Sequence, residues 1–304
     1  MRIFTLLLVL LLSAPLRAET SVTTEIDFEF EGLPRNFIVT IPEGLEGPAP
    51  MILVLHGLLE TGSAMRERVT AGRFEEIARD FGVVVVYPNA FTRVWNLGEG
   101  IGAERIVPRR DDLAYLQRVI EMVRARVEID PTRVFASGFS QGGLMSFALA
   151  CKNPDLIRAV ASVAMSLPEG LAEDCARHPP DGVLLIHGSE DWVVPIEGGD
   201  IASGPGTTMA LMSHERSVEF FRLIKGCSGP PETRRWDARD DGTVVDRQGW
   251  YDCAVGAVEG YHVDGMAHRW PSGTSLLPIA PRIDRNTYEI DGAAAIWGFF
   301  SRFQ

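Results

Sequence analysis

Residues 138–142 (GFSQG) place a serine between two glycines at a point where the predicted secondary structure changes. A short apolar run at residues 134–136 predicts a strand before them, and a helical pattern begins at Gly143. In a tight strand–turn–helix connection the small flanking residues let the turn close, and the serine hydroxyl stands clear at the end of the strand. We therefore predict that Ser140 is a nucleophile; the alternative is a structural glycine-rich turn.

A serine hydroxyl is a poor nucleophile until a general base accepts its proton. The six histidines of the chain are His56, His178, His187, His214, His262 and His268. Enzymes built on this turn carry their acid after the serine and their histidine last. His268 fits that order, because it lies between the last predicted strand and the final predicted helix. His262 falls inside that strand, so we expect it to be a packed core residue and keep it as the alternative base.

The acid that orients the base is predicted to be Asp191. The predicted strand at residues 183–186 leads into residues 187–195 (HGSEDWVVP), where a carboxylate can accept the second ring N–H of His268. Such a contact fixes the imidazole tautomer and stabilises the imidazolium that forms during the reaction. Glu190 would compete only if the loop turned differently. The alternative for Asp191 is an exposed aspartate beside a turn.

Two backbone amides are predicted to stabilise a developing oxyanion. The N–H of Gln141 follows the nucleophile at the N-terminus of its helix, where the helix carries a partial positive charge. The second donor is expected in the loop after the apolar run at residues 51–55, most simply the N–H of Leu58. His56, in the same loop, is predicted to be structural rather than catalytic.

Other side chains near these motifs carry weaker indications. Trp95 and Trp270 could line an acyl or aromatic substrate pocket or belong to the core, and the sequence favours neither. Asp111 and Asp112 precede a helical pattern and are predicted to cap that helix. The sequence contains no HExxH, P-loop or GxGxxG motif, so we expect neither a metal nor a cofactor.

Short apolar runs alternate with helical patterns along the chain, and this alternation determines the expected fold class. Strands are predicted at residues 51–55, 83–86, 134–136, 159–164, 183–186 and 255–263, and helices at residues 74–81, 113–127, 143–151, 218–224 and 293–303. Uninterrupted apolar runs suit strands buried on both faces, as in a mostly parallel sheet covered by helices. Residues 24–30 alternate apolar and polar side chains and, with residues 35–41, predict an N-terminal antiparallel hairpin. The expected fold class is α/β.

Two segments, residues 89–110 and 198–208, are rich in glycine and polar residues and fit no regular element. Loops of this length in a compact domain are usually functional or mobile. We expect each of them either to border a binding cleft or to lie on the surface.

Length and composition limit the class of protein. The chain has 304 residues, 46% of them hydrophobic, without internal repeats or a low-complexity linker, which predicts one catalytic domain over residues 19–304. The 29 Lys and Arg against 41 Asp and Glu give a formal net charge of -12. We see no basic cluster that could overcome the repulsion from a phosphate backbone, so nucleic-acid binding is excluded as a leading interpretation.

The first 18 residues predict export. Arg2 precedes an apolar run at residues 3–12, and a cleavage site is expected near Ala18. The run is shorter than the roughly 20 residues that a spanning helix needs, although a retained anchor is the alternative. We expect a secreted or periplasmic protein without a membrane span once the signal is removed.

The four cysteines agree with an oxidising compartment, since none lies in a CxxC pair. Three disulfide connectivities are open to them. We prefer the sequential pairing, Cys151 with Cys175 and Cys227 with Cys253, because each bond closes a short stretch. The alternative is four buried free thiols.

As a set, these motifs resemble the secreted esterase family that includes polyhydroxybutyrate depolymerases and feruloyl or acetylxylan esterases. The resemblance extends from about residue 35 to the C-terminus, and its motifs are residues 95–96, 111–113, 138–143, 187–191 and 268–271. It implies the α/β-hydrolase fold and an exported serine carboxylic-ester hydrolase that needs no cofactor. Among the family's activities, a polyhydroxybutyrate depolymerase-like one is expected first, with a small-molecule or oligomeric ester as substrate.

Departures from the family pattern weaken any closer prediction of substrate. Met266 and Ala267 stand where glycines are usual, and Ile196 stands where an aromatic residue often follows Val-Pro. The family's enzymes for solid polyester usually carry a linker and a binding domain after the catalytic domain, and since neither follows here we expect soluble esters or oligomers. The alternatives are a feruloyl or acetylxylan esterase, a serine peptidase on the same fold, and a ligand-binding protein with a relict triad.

Overall fold

The computed structural model of the chain describes residues 20–96, 110–204, 207–274 and 284–303. The strands are β1 (Ser21–Phe30), β2 (Leu33–Pro42), β3 (Ala49–Leu55), β4 (Val84–Pro88), β5 (Ile129–Phe139), β6 (Ala159–Val163), β7 (Gly182–Gly188), β8 (Gly199–Gly204), β9 (Thr207–Leu211), β10 (Glu232–Trp236), β11 (Val244–Trp250) and β12 (Ala257–Asp264). The helices are α1 (Gly62–Ala64), α2 (Arg73–Phe81), α3 (Asp112–Arg124), α4 (Gln141–Lys152), α5 (Ala172–Arg177), α6 (His214–Ile224) and α7 (Gly292–Phe300). A π-helical turn (Met65–Val69) follows α1, and short 3₁₀ turns occur at Phe91–Arg93, Glu169–Leu171 and Ser301–Phe303.

Ten strands form one sheet in the order β1-β2-β4-β3-β5-β6-β7-β12-β11-β10. The six central strands, from β4 to β12, run parallel, and antiparallel pairs extend the sheet on both sides. Strands β3 and β7 are buried along their whole length, which is why their sequences are apolar on both faces. The predicted α/β class and the N-terminal hairpin are confirmed.

Helices cover both faces of the sheet. Helices α3, α4 and α6 bury Tyr115, Phe147 and Phe221 against one face, while α2 and α7 bury Phe74 and Phe300 against the other. Because parallel strands end at the same edge of a sheet, the loops that follow β3, β5, β7 and β12 meet there. This edge holds the candidate catalytic residues.

The prediction that residues 198–208 form no regular element is wrong. Strand β8 pairs antiparallel with β9 in a separate two-stranded sheet, with Ile201 opposite Met209. Backbone hydrogen bonds hold such a hairpin, so its strands need no continuous apolar pattern. Of the other predicted loop, residues 89–110, the described part contains the 3₁₀ turn at Phe91–Arg93, and residues 97–109 lie outside the described residues.

The prediction that His262 is a packed core residue is also wrong. His262 is exposed, whereas its neighbours Tyr261 and Val263 in β12 are buried. Successive side chains of a strand point to opposite faces, and His262 belongs to the face on which a groove remains open between β12 and α6. The apolar neighbours of His262 in the sequence therefore gave no indication that its side chain faces outward.

Both disulfides follow the sequential pairing that we preferred from the sequence. Cys151–Cys175 joins α4 to α5, and Cys227–Cys253 joins the chain after α6 to the segment before β12. Each bond spans about 25 residues of chain, and closing such a loop in the unfolded state stabilises the fold by about 3.5 kcal/mol. Bonds of this kind persist in oxidising compartments.

The described helices include none that is long and apolar enough to cross a membrane. The predicted signal peptide, residues 1–18, lies outside the described residues.

Candidate active site

Ser140 is the single residue between the end of β5 and the start of α4. Its backbone adopts φ +54° and ψ -120°, a conformation that side-chain-bearing residues rarely adopt. Strained backbone of this kind persists only where surrounding structure enforces it, and it is concentrated at functional sites. The strand–serine–helix turn expected from the sequence is thus present.

Glycines on either side of Ser140 allow this turn to close. A Cβ atom on Gly138 would lie 2.2 Å from the carbonyl carbon of Gly142, and one on Gly142 would lie 2.1 Å from the carbonyl oxygen of Leu55. Since non-bonded carbon and oxygen atoms do not approach that closely, both positions require glycine. The N-terminus of α4 therefore packs directly on the end of β3, where the predicted oxyanion loop begins.

The hydroxyl of Ser140 and two neighbouring amides are left available for a ligand. The Ser140 side chain does not cap α4, while its own amide is held at 2.9 Å by the carbonyl oxygen of Val163. The amides of Gln141 and Leu58, the two predicted oxyanion donors, bond to no backbone carbonyl of the described residues. Unpaired N–H groups near a nucleophile are what stabilisation of an oxyanion requires.

His268 and Asp191 are in direct contact at the same edge of the sheet. Nδ1 of His268 lies 2.7 Å from Oδ2 of Asp191. The second carboxylate oxygen accepts hydrogen bonds from the amides of Val193 and Val194, at 2.9 and 2.8 Å. Because an ionised carboxylate only accepts, Nδ1 of His268 must carry the proton, which leaves Nε2 free to act as a base.

Asp191 is buried but remains ionised. Burial raises the pKa of its carboxyl group, and hydrogen bonds from His187 and His268 together with electrostatic attraction to the two rings lower it more, so that the pKa is about 2. At neutral pH the group is therefore a carboxylate with only 4% of its surface exposed. Such a charge stabilises an imidazolium more strongly than an exposed aspartate would.

The ring of His268 lies over the residue that precedes the serine. The ring centroids of Phe139 and His268 are 4.9 Å apart, and Phe139 is bonded to Ser140. The structure therefore brings Ser140, Asp191 and His268 together at the carboxyl ends of β5, β7 and β12.

Backbone hydrogen bonds fix the loop of Asp191 against the loop of His268. The amide of Ser189 donates to Val263, and the amide of Glu190 donates to Met266, at 2.9 and 3.0 Å. A Cβ atom on Gly188 would lie 2.1 Å from the carbonyl oxygen of Met266, so only glycine permits this approach. These backbone contacts fix the position of the acid relative to the base. The carboxylate of Glu190, the alternative acid, lies 3.6 Å from the guanidinium group of Arg285.

His187 supports the acid, a role that its sequence position did not predict. Its side chain is fully buried, with Nε2 2.8 Å from the carbonyl oxygen of Val194 and 3.4 Å from Oδ2 of Asp191. The Val194 carbonyl requires a proton on Nε2, so Nδ1 accepts from the hydroxyl of Ser166, 3.3 Å away. The only sequence signal for this role is the position of His187 at the start of the acid loop.

His56 is structural, as expected. It is fully buried, its Nε2 accepts from the amide of Ala90 at 3.1 Å, and its Nδ1 lies 2.7 Å from the carbonyl oxygen of Gly57. Burial lowers the pKa of His56 to about 4, so the ring is neutral at physiological pH. The amide of Gly57 is in turn bound by the carboxylate of Glu60 at 2.9 Å, a second support that the sequence did not reveal.

The two candidate pocket tryptophans both lie in the core. Trp95 is fully buried, and its indole N–H donates to the carbonyl oxygen of His56 at 2.8 Å. The amide side chain of Gln141 accepts from the backbone N–H of Trp95 at 3.0 Å. Trp270 is 3% exposed and packs edge-on against Phe74. Both tryptophan side chains pack in the core next to the candidate site, and neither reaches an open surface.

Asp111 and Asp112 have separate roles. Asp111 caps α3 by accepting from the amide of Ala114 at 2.9 Å, as predicted. The capping prediction is wrong for Asp112, which is buried and pairs with Arg35 and Arg110 at 2.8 and 3.1 Å. A buried carboxylate needs such partners because desolvation of an unpaired charge is costly.

Metal-ligating side chains are not gathered in the part of the chain that the structure describes: it contains no group of three or more His, Cys, Asp or Glu side chains that could hold an ion.

Comparisons with known proteins identify relatives of this chain. The family model described as phospholipase/carboxylesterase matches residues 110–218. The chain is 30% identical to the protein NocK of Nocardia uniformis subsp. tsuyamanensis over 80% of this chain and 70% of that one. It is also 30% identical to feruloyl esterase C of Emericella nidulans over 69% of this chain and 78% of that one. The structure of acetyl xylan esterase from Aspergillus awamori superposes with a TM-score of 0.61 and 15% identity, over 93% of this chain and 100% of that one.

Proposed function

Because the chain belongs to the esterase family of the α/β-hydrolase superfamily that includes the feruloyl esterases, we propose that Ser140, His268 and Asp191 form its catalytic triad. The activity of the family is carboxylic-ester hydrolysis. The observation that carries the assignment is the 2.7 Å contact between Nδ1 of His268 and Oδ2 of Asp191, beside a serine in a strained turn.

In the first half of the reaction, Nε2 of His268 takes the proton of Ser140 while Oγ attacks the ester carbonyl carbon. The carbonyl oxygen becomes an oxyanion that the amides of Gln141 and Leu58 stabilise. The tetrahedral intermediate collapses as the bond to the alcohol oxygen breaks, and the imidazolium of His268 protonates that oxygen. An acyl-enzyme on Ser140 and a free alcohol result.

The second half repeats these steps with water. His268 takes a proton from water, the hydroxide oxygen attacks the acyl carbon, and the intermediate collapses to release the carboxylic acid. The proton returns from His268 to Oγ of Ser140. Throughout, Asp191 stays ionised, since its pKa of about 2 lies far below physiological pH, and it holds His268 in the tautomer that the reaction needs.

The substrate is an ester carried by a polysaccharide, with a feruloyl or acetyl group as the acyl part. Support for a feruloyl ester comes from feruloyl esterase C of Emericella nidulans, which is 30% identical to this chain; the acetyl alternative takes only the name of a neighbour that shares the fold. A polyhydroxybutyrate-like activity on soluble oligomers is the second candidate, and the motif set at residues 138–143, 187–191 and 268–271 favours it.

The protein acts outside the cytoplasm. Two disulfides support this location, since they persist in oxidising compartments, and the sequence of residues 1–18 has the pattern of an export signal. N-terminal sequencing of the protein recovered from the producing cells is the direct check, with a new terminus at or near residue 19 expected.

Product release from methyl ferulate, acetylated xylan and hydroxybutyrate oligomers tests the proposed activity. Ferulate or acetate release that disappears in Ser140→Ala supports the polysaccharide-ester assignment. Release from the hydroxybutyrate oligomers alone would replace it with the second candidate. Ser146→Ala is the matched control, because Ser146 lies in α4, is buried, and its hydroxyl donates to the carbonyl oxygen of Gly142 within its own helix.

A further inference from the structure

A groove of about 670 Å³ lies between α6 and the outer strands β10, β11 and β12. Neither Ser140, Asp191 nor His268 lines it, so it is separate from the candidate catalytic centre. Its volume falls within the range of about 300–1,000 Å³ that is usual for small-molecule sites. The function proposed above leaves this groove unassigned.

The groove carries charges of both signs, and several of them are already paired. Three guanidinium groups and three carboxylates contribute to its walls: Arg234, Arg235, Arg247, Glu215, Glu219 and Asp246. Arg235 lies 2.8 Å from Asp246, and Glu219 lies 2.6 Å from Arg222. A free anion or cation would compete with these pairs and gain little, because the charges balance. A neutral ligand rich in hydroxyl groups can instead donate to the carboxylates and accept from the guanidinium groups.

A buried histidine in the wall of the groove lacks a partner. His214 is 6% exposed, and its Nδ1 has no hydrogen-bond partner among the described residues. Burial lowers the pKa of His214 well below its usual value, so the ring is neutral. The ring therefore adds no charge to the groove wall.

The same histidine connects the groove to the catalytic edge of the sheet. The rings of His214 and His187 are 5.9 Å apart at a right angle, and the amide of His214 donates to the carbonyl oxygen of Ile196 in the loop that follows Asp191. From there the groove continues along β12 past His262 toward Trp250 on β11. Residues 258–262 of an extended strand span about 13 Å, enough for a short oligomer.

We infer that this groove binds the uncharged sugar chain that carries the scissile ester. The inference rests on the proposed polysaccharide-ester function. It adds a second site that holds the polymer at a distance from the serine. Sugar hydroxyls match the mixed donors and acceptors of the walls, and Trp250, which lines the groove and is 8% exposed, adds an apolar surface for a sugar ring.

Calorimetric titration of inactive Ser140→Ala protein with xylohexaose tests this site directly. Saturable binding is expected, and it should weaken at least about tenfold when Gln248→Ala and His262→Ala are added, since both side chains are exposed in the groove wall. Gln117→Ala is the matched control, because Gln117 is exposed on α3 outside the groove. Absence of binding to the Ser140→Ala protein, or equal binding by the groove variant, would overturn the inference. Equal or tighter binding of an oligogalacturonide would overturn the preference for an uncharged chain.

Steady-state kinetics with a small and a large substrate distinguishes the contribution of the groove from that of the catalytic site. The Gln248→Ala/His262→Ala protein should keep the wild-type kcat/KM for methyl ferulate and show a KM for a feruloylated xylo-oligosaccharide that is about five- to tenfold higher. An equal KM for the oligosaccharide in wild type and variant would contradict the inference. If wild-type protein hydrolyses no polysaccharide ester but still binds xylohexaose in the groove, the proposed substrate fails and the binding site stands.

Discussion

Oδ2 of Asp191 lies 2.7 Å from Nδ1 of His268 and 3.4 Å from Nε2 of His187, so one carboxylate oxygen faces two imidazole rings. The other oxygen is held by two backbone amides of the same loop. Both carboxylate oxygens are thus held by polar groups of the protein, which explains why a buried carboxyl group keeps a pKa of about 2. The acid is both ionised and fixed in place.

Replacing this acid by its amide should abolish most activity. In Asp191→Asn the side chain can donate to His268 and favours the tautomer with its proton on Nε2, so kcat should fall by about 10⁴-fold. Steady-state kinetics on the best ester substrate measures the loss. Glu190→Gln is the matched control and should retain wild-type kcat, whereas a comparable loss there would transfer the acid's role to Glu190.

His187 should affect the reaction through Asp191 rather than by touching substrate. His187→Ala removes a hydrogen bond that lowers the pKa of Asp191 and frees the acid loop, so kcat should fall by about 10²-fold as the acid shifts. The acidic limb of the pH–kcat profile should move to higher pH. His187→Gln can keep a donor near the position of Nε2 and should restore part of the rate. A His187→Ala enzyme with an unchanged pH profile would show that the residue is only a packing element.

Asp191 should also link stability to acid pH. Its pKa is lowered from the ordinary value of 3.8 to about 2 in the folded protein, so its contribution is present above pH 4 and is lost as the pH falls toward 2. The shift corresponds to about 2 kcal/mol. Denaturant unfolding of wild type and Asp191→Asn at several pH values between 7 and 2 measures the difference. That difference should shrink by about this amount at the acid end, and a constant difference would contradict the assignment.

The turn around Ser140 should tolerate no side chain at Gly142. The added Cβ of Gly142→Ala would lie 2.1 Å from the carbonyl oxygen of Leu55, so we expect loss of activity and a free energy of unfolding lower by about 3 kcal/mol or more. Gly298→Ala in α7 is the matched control, since nothing lies within 4 Å of its added Cβ. That change should stabilise the protein by up to about 1 kcal/mol. Thermal unfolding and ester hydrolysis of both variants test the contrast.

The central strands could be predicted from the sequence because they are buried on both faces, and β3 and β7 show this as unbroken apolar runs. The same rule could not find β10, whose side chains are mostly exposed. Nor could it predict that the side chain of His262, which lies in an apolar stretch, faces outward. Outer strands are defined by their backbone partners, which a pattern of side chains does not reveal.

The candidate site was predictable as far as local motifs and chain order reach. Ser140, Asp191 and His268 each follow a predicted strand, and parallel strands bring such positions to one edge. The approach of His187 to Asp191 depends on the orientation of a buried imidazole ring, which the sequence does not reveal. The pairing of Asp112 with Arg35 joins residues far apart in the chain. Contacts of this kind follow from tertiary packing and leave no local pattern.

Labelling with a fluorophosphonate probe, followed by mass spectrometry of the peptides, identifies the nucleophile. If Ser140 is the nucleophile, we expect one adduct, on the peptide that contains Ser140. It should be absent in Ser140→Ala, form much more slowly in His268→Ala and be unchanged in Ser146→Ala. An unlabelled wild-type protein, or an adduct on another serine, would contradict the assignment of Ser140 as the nucleophile.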